Sequence, residues 1–122
     1  KEYQDILKTG GAAAGISLSC TVREITADGL DMTHVELQII DSDGNPVDNA
    51  QDLIHVVVEG PGEILGLENG NLEDTSPYAQ PFRRAHNGKL LIYVASTVEK
   101  GTIRVKAEAN RLKPCHIDIL SQ

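Results

Sequence analysis

The residues in this chain best suited to chemistry form the acidic stretch DSDGN. Asp41, Asp43 and Asn45 occupy the first, third and fifth positions of the pattern used by calcium-binding loops. The glycine that this pattern requires at its sixth position is Pro46 here, and the glutamate of its twelfth position is also missing. Because Asp-Gly between alternating runs is a strong turn signal, the stretch predicts a plain turn, and Asp28–Asp31 is interpreted in the same way.

Cysteine and histidine offer little for a metal site or a nucleophile. Cys115 and His116 are adjacent, and neighbours on a strand point to opposite faces, which disfavours a shared zinc ion. Cys20 and Cys115 fall on the apolar phase of strand-like runs, which predicts buried free thiols. A bridge between them stays open, since the first and last strands of a sandwich can be neighbours. We predict no cofactor and no metal.

Charge and carboxylate content limit the possible partners and activities. The net charge of −7 disfavours binding to nucleic acid and to anionic membranes. No apolar run approaches the roughly 20 residues that span a bilayer, so no membrane insertion is expected. A glycosidase needs two carboxylates about 5 to 10 Å apart in a deep cleft, which a sandwich of this size seldom supplies. We therefore assign no catalytic residue in this chain.

A period of two dominates the elements that would position these residues. Four runs place apolar side chains on one face: Ile16, Leu18, Cys20 and Val22; Val35, Leu37 and Ile39; Ile103, Val105, Ala107 and Ala109; and Cys115, Ile117 and Ile119. Two further runs, 53–60 and 89–96, are apolar on both phases and predict central, more buried strands. Turn pairs such as Asn87-Gly88 separate the runs. The pattern predicts an all-β, immunoglobulin-like, two-sheet antiparallel sandwich of about seven strands.

The ends of this pattern suggest the domain organisation. Residues 1–14, with small residues from Lys8 onwards, predict a tether, and residues 15–122 predict the immunoglobulin-like domain. Because the first residue is Lys1 and not Met, we interpret the chain as a piece of something longer.

The segment 68–87 shows no clear period, and a loop of that length usually carries a contact surface. Its aromatic residues are Tyr78 and Phe82. Tyr93 falls in a strand that is predicted to be buried, so it is not a candidate for this surface. Aromatic rings stack on sugars or pack against neighbouring domains. We therefore take Tyr78, Phe82, Asn69 and Asn71 as possible interdomain or sugar contacts.

Three blocks together resemble a known family: TADGLDMTHVELQIIDSDGNPV (26–47), VEGPGEILGLENGN (58–71), and FRRAHNGKLLIYVAS with GTIRVKAEANRL (82–112). They are similar to the C-terminal immunoglobulin-like domain of bacterial family 2 glycoside hydrolases, which are β-galactosidase-like enzymes. The resemblance covers roughly residues 14–120. His86 departs from the family pattern, which usually has an aromatic residue such as Phe at that position.

The resemblance implies a function for the larger chain. The catalytic glutamates of such enzymes lie on a separate barrel domain, and none of that barrel's motifs occurs here. It therefore implies a non-catalytic accessory domain with the catalytic barrel domain as its partner, in a periplasmic or cell-surface enzyme of carbohydrate degradation. Two alternatives stay open: a carbohydrate-binding module that stacks sugars on Tyr78 and Phe82, and an adhesin-type stalk domain.

Overall fold

The computed structural model describes residues 12–71 and 80–122. The predicted tether therefore lies largely outside the described residues, and the first strand begins at Gly15. Across the described residues the chain forms nine strands: β1 (Gly15–Ser19), β2 (Glu24–Ile25), β3 (Met32–Ile40), β4 (Leu53–Glu59), β5 (Gly62–Glu68), β6 (Phe82–Arg84), β7 (Lys89–Ser96), β8 (Gly101–Ala109) and β9 (Leu112–Ser121).

The strands build two layers, which confirms the predicted immunoglobulin-like sandwich. The first sheet has the order β5–β7–β3–β1, and the second has the order β6–β4–β8–β9–β2. A single parallel bridge between Gly15 and Lys113 joins β1 to β9 at one edge. The described strands outnumber the predicted seven because β2 and β6 have only two and three residues. Strands that short are too brief to show an alternating pattern in the sequence.

The core is aliphatic and comes from the inward faces of both sheets. In β3 the predicted inward set of Val35, Leu37 and Ile39 is buried, which confirms the alternation there. Ile103, Val105 and Ala107 of β8 are fully buried opposite them. Side chains from two such faces interdigitate in a layer about 10 Å thick. Aliphatic burial between the two sheets therefore stabilises the domain, at roughly 25 cal/mol for each Å² removed from water.

Three details of the predicted burial are wrong. Val22 is 51% exposed because β1 ends at Ser19 and the chain turns before Val22. The side chain of Tyr93 is only half-buried, on the outer face of the first sheet beside His34. Run 53–60 is not buried on both faces, because β4 has the three-residue β6 as one neighbour and leaves Val57 exposed.

The predicted turns are present where the described residues include them. Asn87 and Gly88 have φ values of 55° and 75°, and the His86 and Lys89 backbones exchange two hydrogen bonds of 3.0 Å. Consecutive positive φ values define the tight hairpin turn that matches the twist of the flanking strands, which Asn-Gly favours. Within the segment 68–87, which was predicted to be irregular, residues 82–84 instead form β6.

Candidate functional site

Three of the four predicted site residues meet at one end of the sandwich. We call this the Asn69 end; it is formed by residues 41–52, 69–71, 84–88 and 110–111. Asn69, Asn71 and Phe82 line a cleft there of about 260 Å³. The fourth predicted residue, Tyr78, lies outside the described residues. The strands β5 and β6 position the three residues, since β5 ends at Glu68 and β6 begins at Phe82.

Asn69 makes hydrogen bonds that hold this end together. Its Nδ2 donates to the carbonyl oxygen of Arg84 over 2.9 Å, and its Oδ1 accepts from the backbone N–H of Asn71 over 2.9 Å. The backbone N–H of Gly70 donates to Oε2 of Glu68 over 2.8 Å. An Asn side chain that bonds the backbone two residues ahead mimics a turn. Asn69 therefore links the turn after β5 to β6 and shapes the cleft.

Phe82 offers one partly open aromatic ring. The residue is 37% exposed, and its ring centroid lies 5.7 Å from that of His55 with the planes tilted by 38°. This contact is expected from the register, since His55 and Phe82 are opposite each other in β4 and β6. The ring packs against a neighbouring side chain, so only part of its surface remains for a ligand or another domain.

A larger cleft lies on the outer face of the first sheet; Asn69 also lines it, but sequence reasoning missed its other residues. It has a volume of about 370 Å³ and is lined by Ser17, Ser19, Gln38, Lys89 and Leu91, among others. Register places Gln38 opposite both Ser17 and Lys89, so these side chains share one face. The signal that could have indicated it is the apolar residue Leu91 at an outward position of β7.

Gln38 is held in place within this larger cleft. Its Nε2 donates to the carbonyl oxygens of Ile39 and Gly88, each over 3.1 Å. Because its amide nitrogen is anchored in this way, the orientation of its Oε1 is set. Hydroxyl and amide groups around an aliphatic floor can bind a polar ligand such as a sugar through hydrogen bonds.

The outer face of the second sheet is electrostatically different. Arg104 and Asp118 form an ion pair of 3.0 Å, and Lys106 and Glu59 form one of 3.3 Å. The hydrogen bond from the Arg104 guanidinium lowers the pKa of Asp118 and raises that of Arg104. Exposed pairs of this kind suit a face that stays in water.

The acidic stretches form the predicted turns. Oδ1 of Asp41 accepts the backbone N–H groups of Asp43 and Asn45, each over 2.9 Å. Oδ1 of Asp28 accepts those of Leu30 and Asp31, and these two hydrogen bonds lower the pKa of Asp28. Within 12–71 and 80–122, no group of three or more His, Cys, Asp or Glu side chains is arranged to hold a metal ion.

Two further predictions from the sequence concern the cysteines and membrane insertion. Cys20 and Cys115 are both free thiols with no bridge between them, as predicted, but they are half-buried and not buried. In the described part of the chain, no helix has the length and apolar character needed to cross a membrane.

The chain is similar to known proteins in both sequence and fold. Its two-sheet, immunoglobulin-like sandwich is the class of fold that it shares with part of a family 2 glycosyl hydrolase from Bacteroides cellulosilyticus. The family described as glycoside hydrolase family 2 C-terminal domain 5 matches residues 16–118. The chain belongs to this family.

The relatives are much longer than this chain. A β-galactosidase of Bacteroides ovatus is 29% identical over 114 residues, which make up 93% of this chain and 13% of the relative. A β-galactosidase of Thermoanaerobacter pseudethanolicus is 30% identical over 85% of this chain and 12% of its own length. The crystal structure of a glycosyl hydrolase family 2 member from Bacteroides cellulosilyticus superimposes with a TM-score of 0.89 at 30% identity, over 93% of this chain and 15% of that one. The chain thus spans about one eighth of the length of its curated relatives.

Proposed function

We propose that this chain is a non-catalytic accessory domain of a β-galactosidase-like family 2 glycoside hydrolase. The observation that carries the proposal is the difference in length between this chain and its relatives, since nearly the whole chain aligns with only about one eighth of each relative. A module of that size in a longer enzyme has its own core and packs against its neighbours. The catalytic barrel domain of the parent chain is its partner, and the family match favours this role over an adhesin-type stalk.

The carboxylates around the larger cleft support a non-catalytic role. Glu36 and Glu68 line it on either side of Leu91, about two strand spacings or ~10 Å apart. Both residues are exposed, and Glu68 already accepts the N–H of Gly70. Glycosidases instead place their two carboxylates in a closed site where the acid is shielded from water.

An activity assay on the purified chain tests the non-catalytic role directly. We expect the purified domain to release no nitrophenol from nitrophenyl β-galactoside above the uncatalysed rate. Turnover by the wild-type domain that disappears in Glu36→Gln or Glu68→Gln would overturn the non-catalytic role. In the full-length parent enzyme, deletion of residues 15–122 is expected to lower the melting temperature or the activity. Unchanged stability and kinetics after that deletion would argue against a docking role.

The larger cleft favours a second candidate function, carbohydrate binding. Ser17, Ser19 and Gln38 supply hydroxyl and amide groups, and Leu91 supplies an apolar floor. Titration with galactose and lactose, followed by amide shifts, tests this candidate. Shifts at these residues that saturate would support it, and shifts confined to Phe82 would instead favour the ring predicted from sequence. A domain silent to both sugars would remove this function.

The location of the parent enzyme forms part of the same proposal. We propose that the parent enzyme lies in the periplasm or at the cell surface, because this chain resembles a family of carbohydrate-degrading enzymes. Fractionation of cells that express the parent gene, followed by blotting for the domain, would test it, and recovery in the cytoplasm alone would contradict it.

A further inference from the structure

We infer that the end of the sandwich opposite the Asn69 end docks against another domain of the parent enzyme. We call it the Leu30 end; it is formed by residues 20–31, 60–61, 97–100 and 122. This inference rests on the proposed function, and it assigns the contact to a different surface from the segment 68–87 that sequence alone indicated.

Among the described residues, the four large apolar residues with the greatest exposure gather at the Leu30 end. Leu30 is 86% exposed and Val98 is 76% exposed, while Met32 is 46% exposed at the start of β3. Val22 lies at the same end, since its carbonyl oxygen accepts from the Thr33 hydroxyl over 2.8 Å. Apolar residues exposed singly need no explanation, whereas a patch of them in one place is often functional.

The loop that carries Leu30 is held in one conformation. Asp28 accepts the N–H groups of Leu30 and Asp31 over 2.8 and 2.9 Å. Asp31 in turn accepts the N–H groups of Thr26 and Met32 over 2.8 and 2.9 Å. Because these bonds order the loop before any partner arrives, docking through Leu30 requires little further loss of conformational entropy.

The loop that carries Val98 is tied to its surroundings too. The Thr97 hydroxyl donates to the carbonyl oxygen of Pro61 over 3.3 Å and accepts from the N–H of Glu99 over 3.2 Å. A Cβ atom built on Gly29 would lie 3.5 Å from Cγ1 of Val98, so the two loops adjoin. Leu30 and Val98 are therefore presented together on one ordered surface.

The size of this surface selects a tethered domain as the occupant. Four side chains form a patch of about 300 to 600 Å² at most, the size of the largest apolar patch on an ordinary monomer. A stable complex between separate molecules needs roughly 800 Å² from each partner, so a second copy of this chain is disfavoured. A domain in the same polypeptide meets this surface at an effective concentration of about 1 mM or above, so a small contact suffices. The relatives supply such domains, since this chain spans only about one eighth of their length.

Exposed apolar residues on the second sheet provide a contrast and a control. Val57 is opposite Lys106 in the register, and Lys106 forms the ion pair with Glu59. Desolvating this face would break the hydration of those charges, so Val57 does not belong to an apolar contact surface. A Val57→Ser variant therefore matches Val98→Ser in chemistry but lies outside the proposed surface.

Hydrogen exchange tests the inference by comparing the isolated domain with the full-length parent enzyme. We expect the amides of 26–31 and 97–100 to exchange at least tenfold more slowly in the full-length enzyme. The double variant Leu30→Ser/Val98→Ser should lose this protection, and Val57→Ser should retain it. The same double variant should leave the melting temperature of the isolated domain unchanged, because both side chains are exposed.

Other outcomes separate this inference from the proposed function. Protection that appears only at the Asn69 end would overturn the inference and leave the docking role intact. Equal exchange everywhere in the two contexts would overturn both. A dimer of the isolated domain that is abolished by Leu30→Ser would overturn the choice of occupant.

Discussion

An acidic turn lies at each end of the sandwich, one around Asp41 and one around Asp28. Both carboxylates accept two backbone N–H groups, so their hydrogen-bonding pattern is nearly the same. Asp41 is only 6% exposed, whereas Asp28 is exposed. The buried turn supports the packing of the Asn69 end, while the exposed turn presents Leu30. Two turns with nearly the same hydrogen bonds thus have different roles: the Asp41 turn supports packing, and the Asp28 turn leaves an accessible surface.

Two glycines, one in a turn at each end, differ in how closely the backbone packs around them. Gly88 at the Asn69 end and Gly29 at the Leu30 end both have positive φ, at 75° and 77°. A Cβ atom on Gly88 would lie 2.2 Å from the carbonyl oxygen of Val47, whereas the nearest atom to one on Gly29 is 3.5 Å away. Backbone packs tightly around the first turn and loosely around the second.

The largest expected effect comes from breaking this packing with Gly88→Ala. We expect a loss of about 3 kcal/mol of unfolding free energy or more, because backbone strain adds to a contact that the Val47 backbone must move to relieve. The matched variant Gly29→Ala should lose only about 1 kcal/mol, from the positive φ alone. Urea unfolding of both variants measures the difference. Equal losses would mean that these two turns do not differ in backbone packing.

A smaller effect is expected from Asp41→Ala. Removing the carboxylate leaves the N–H groups of Asp43 and Asn45 without this acceptor, and we expect a loss of about 2 kcal/mol. Asp41→Asn keeps an oxygen acceptor and should recover part of that loss. Chemical denaturation provides the measurement. If Asp41→Ala were as stable as the wild type, the hydrogen bonds of the Asp41 turn would contribute nothing measurable to the free energy of unfolding.

The smallest effect concerns acid. The pKa of Asp28 is lowered from 3.8 by the N–H groups of Leu30 and Asp31, and that of Asp118 by Arg104. A lowered pKa in the folded state stabilises the fold above about pH 4, and this contribution is lost as the pH falls through the folded value. The double variant Asp28→Asn/Asp118→Asn should therefore lose less stability than the wild type between pH 5 and pH 2. Parallel pH curves for the two proteins would contradict this prediction.

Comparing β4 with β7 shows how far the sequence could predict the fold. Both runs are apolar on both phases, and both were predicted to be central and buried. β7 has β3 and β5 along its length, and its outward Leu91 and Tyr93 are half-buried. β4 meets only three residues of β6, and Val57 stays exposed. The sequence of a strand does not show how long its neighbouring strands are. The burial of the outer face of β4 therefore could not be predicted.

The candidate site was predictable only in part for a similar reason. The irregular segment indicated Asn69, Asn71 and Phe82, and the structure places these three around one cleft. Asn69 also lines the cleft on the first sheet, but the rest of that cleft was missed because its other residues come from strands far apart in the chain. Ser17 and Gln38 look like ordinary water-facing residues until strand pairing places them opposite each other.

The sequence by itself determined the longer strands, most of the inward aliphatic set and the turns at Gly44 and Gly88, because alternation and positive φ are properties of neighbouring residues. Only the tertiary structure decided which outward side chains share a face and which loops share an end. Those choices depend on pairings such as Met32 with Ala95 and on the approach of Gly29 to Val98. Contacts between residues more than sixty positions apart are set by how the two sheets close on their common core, which no local pattern encodes.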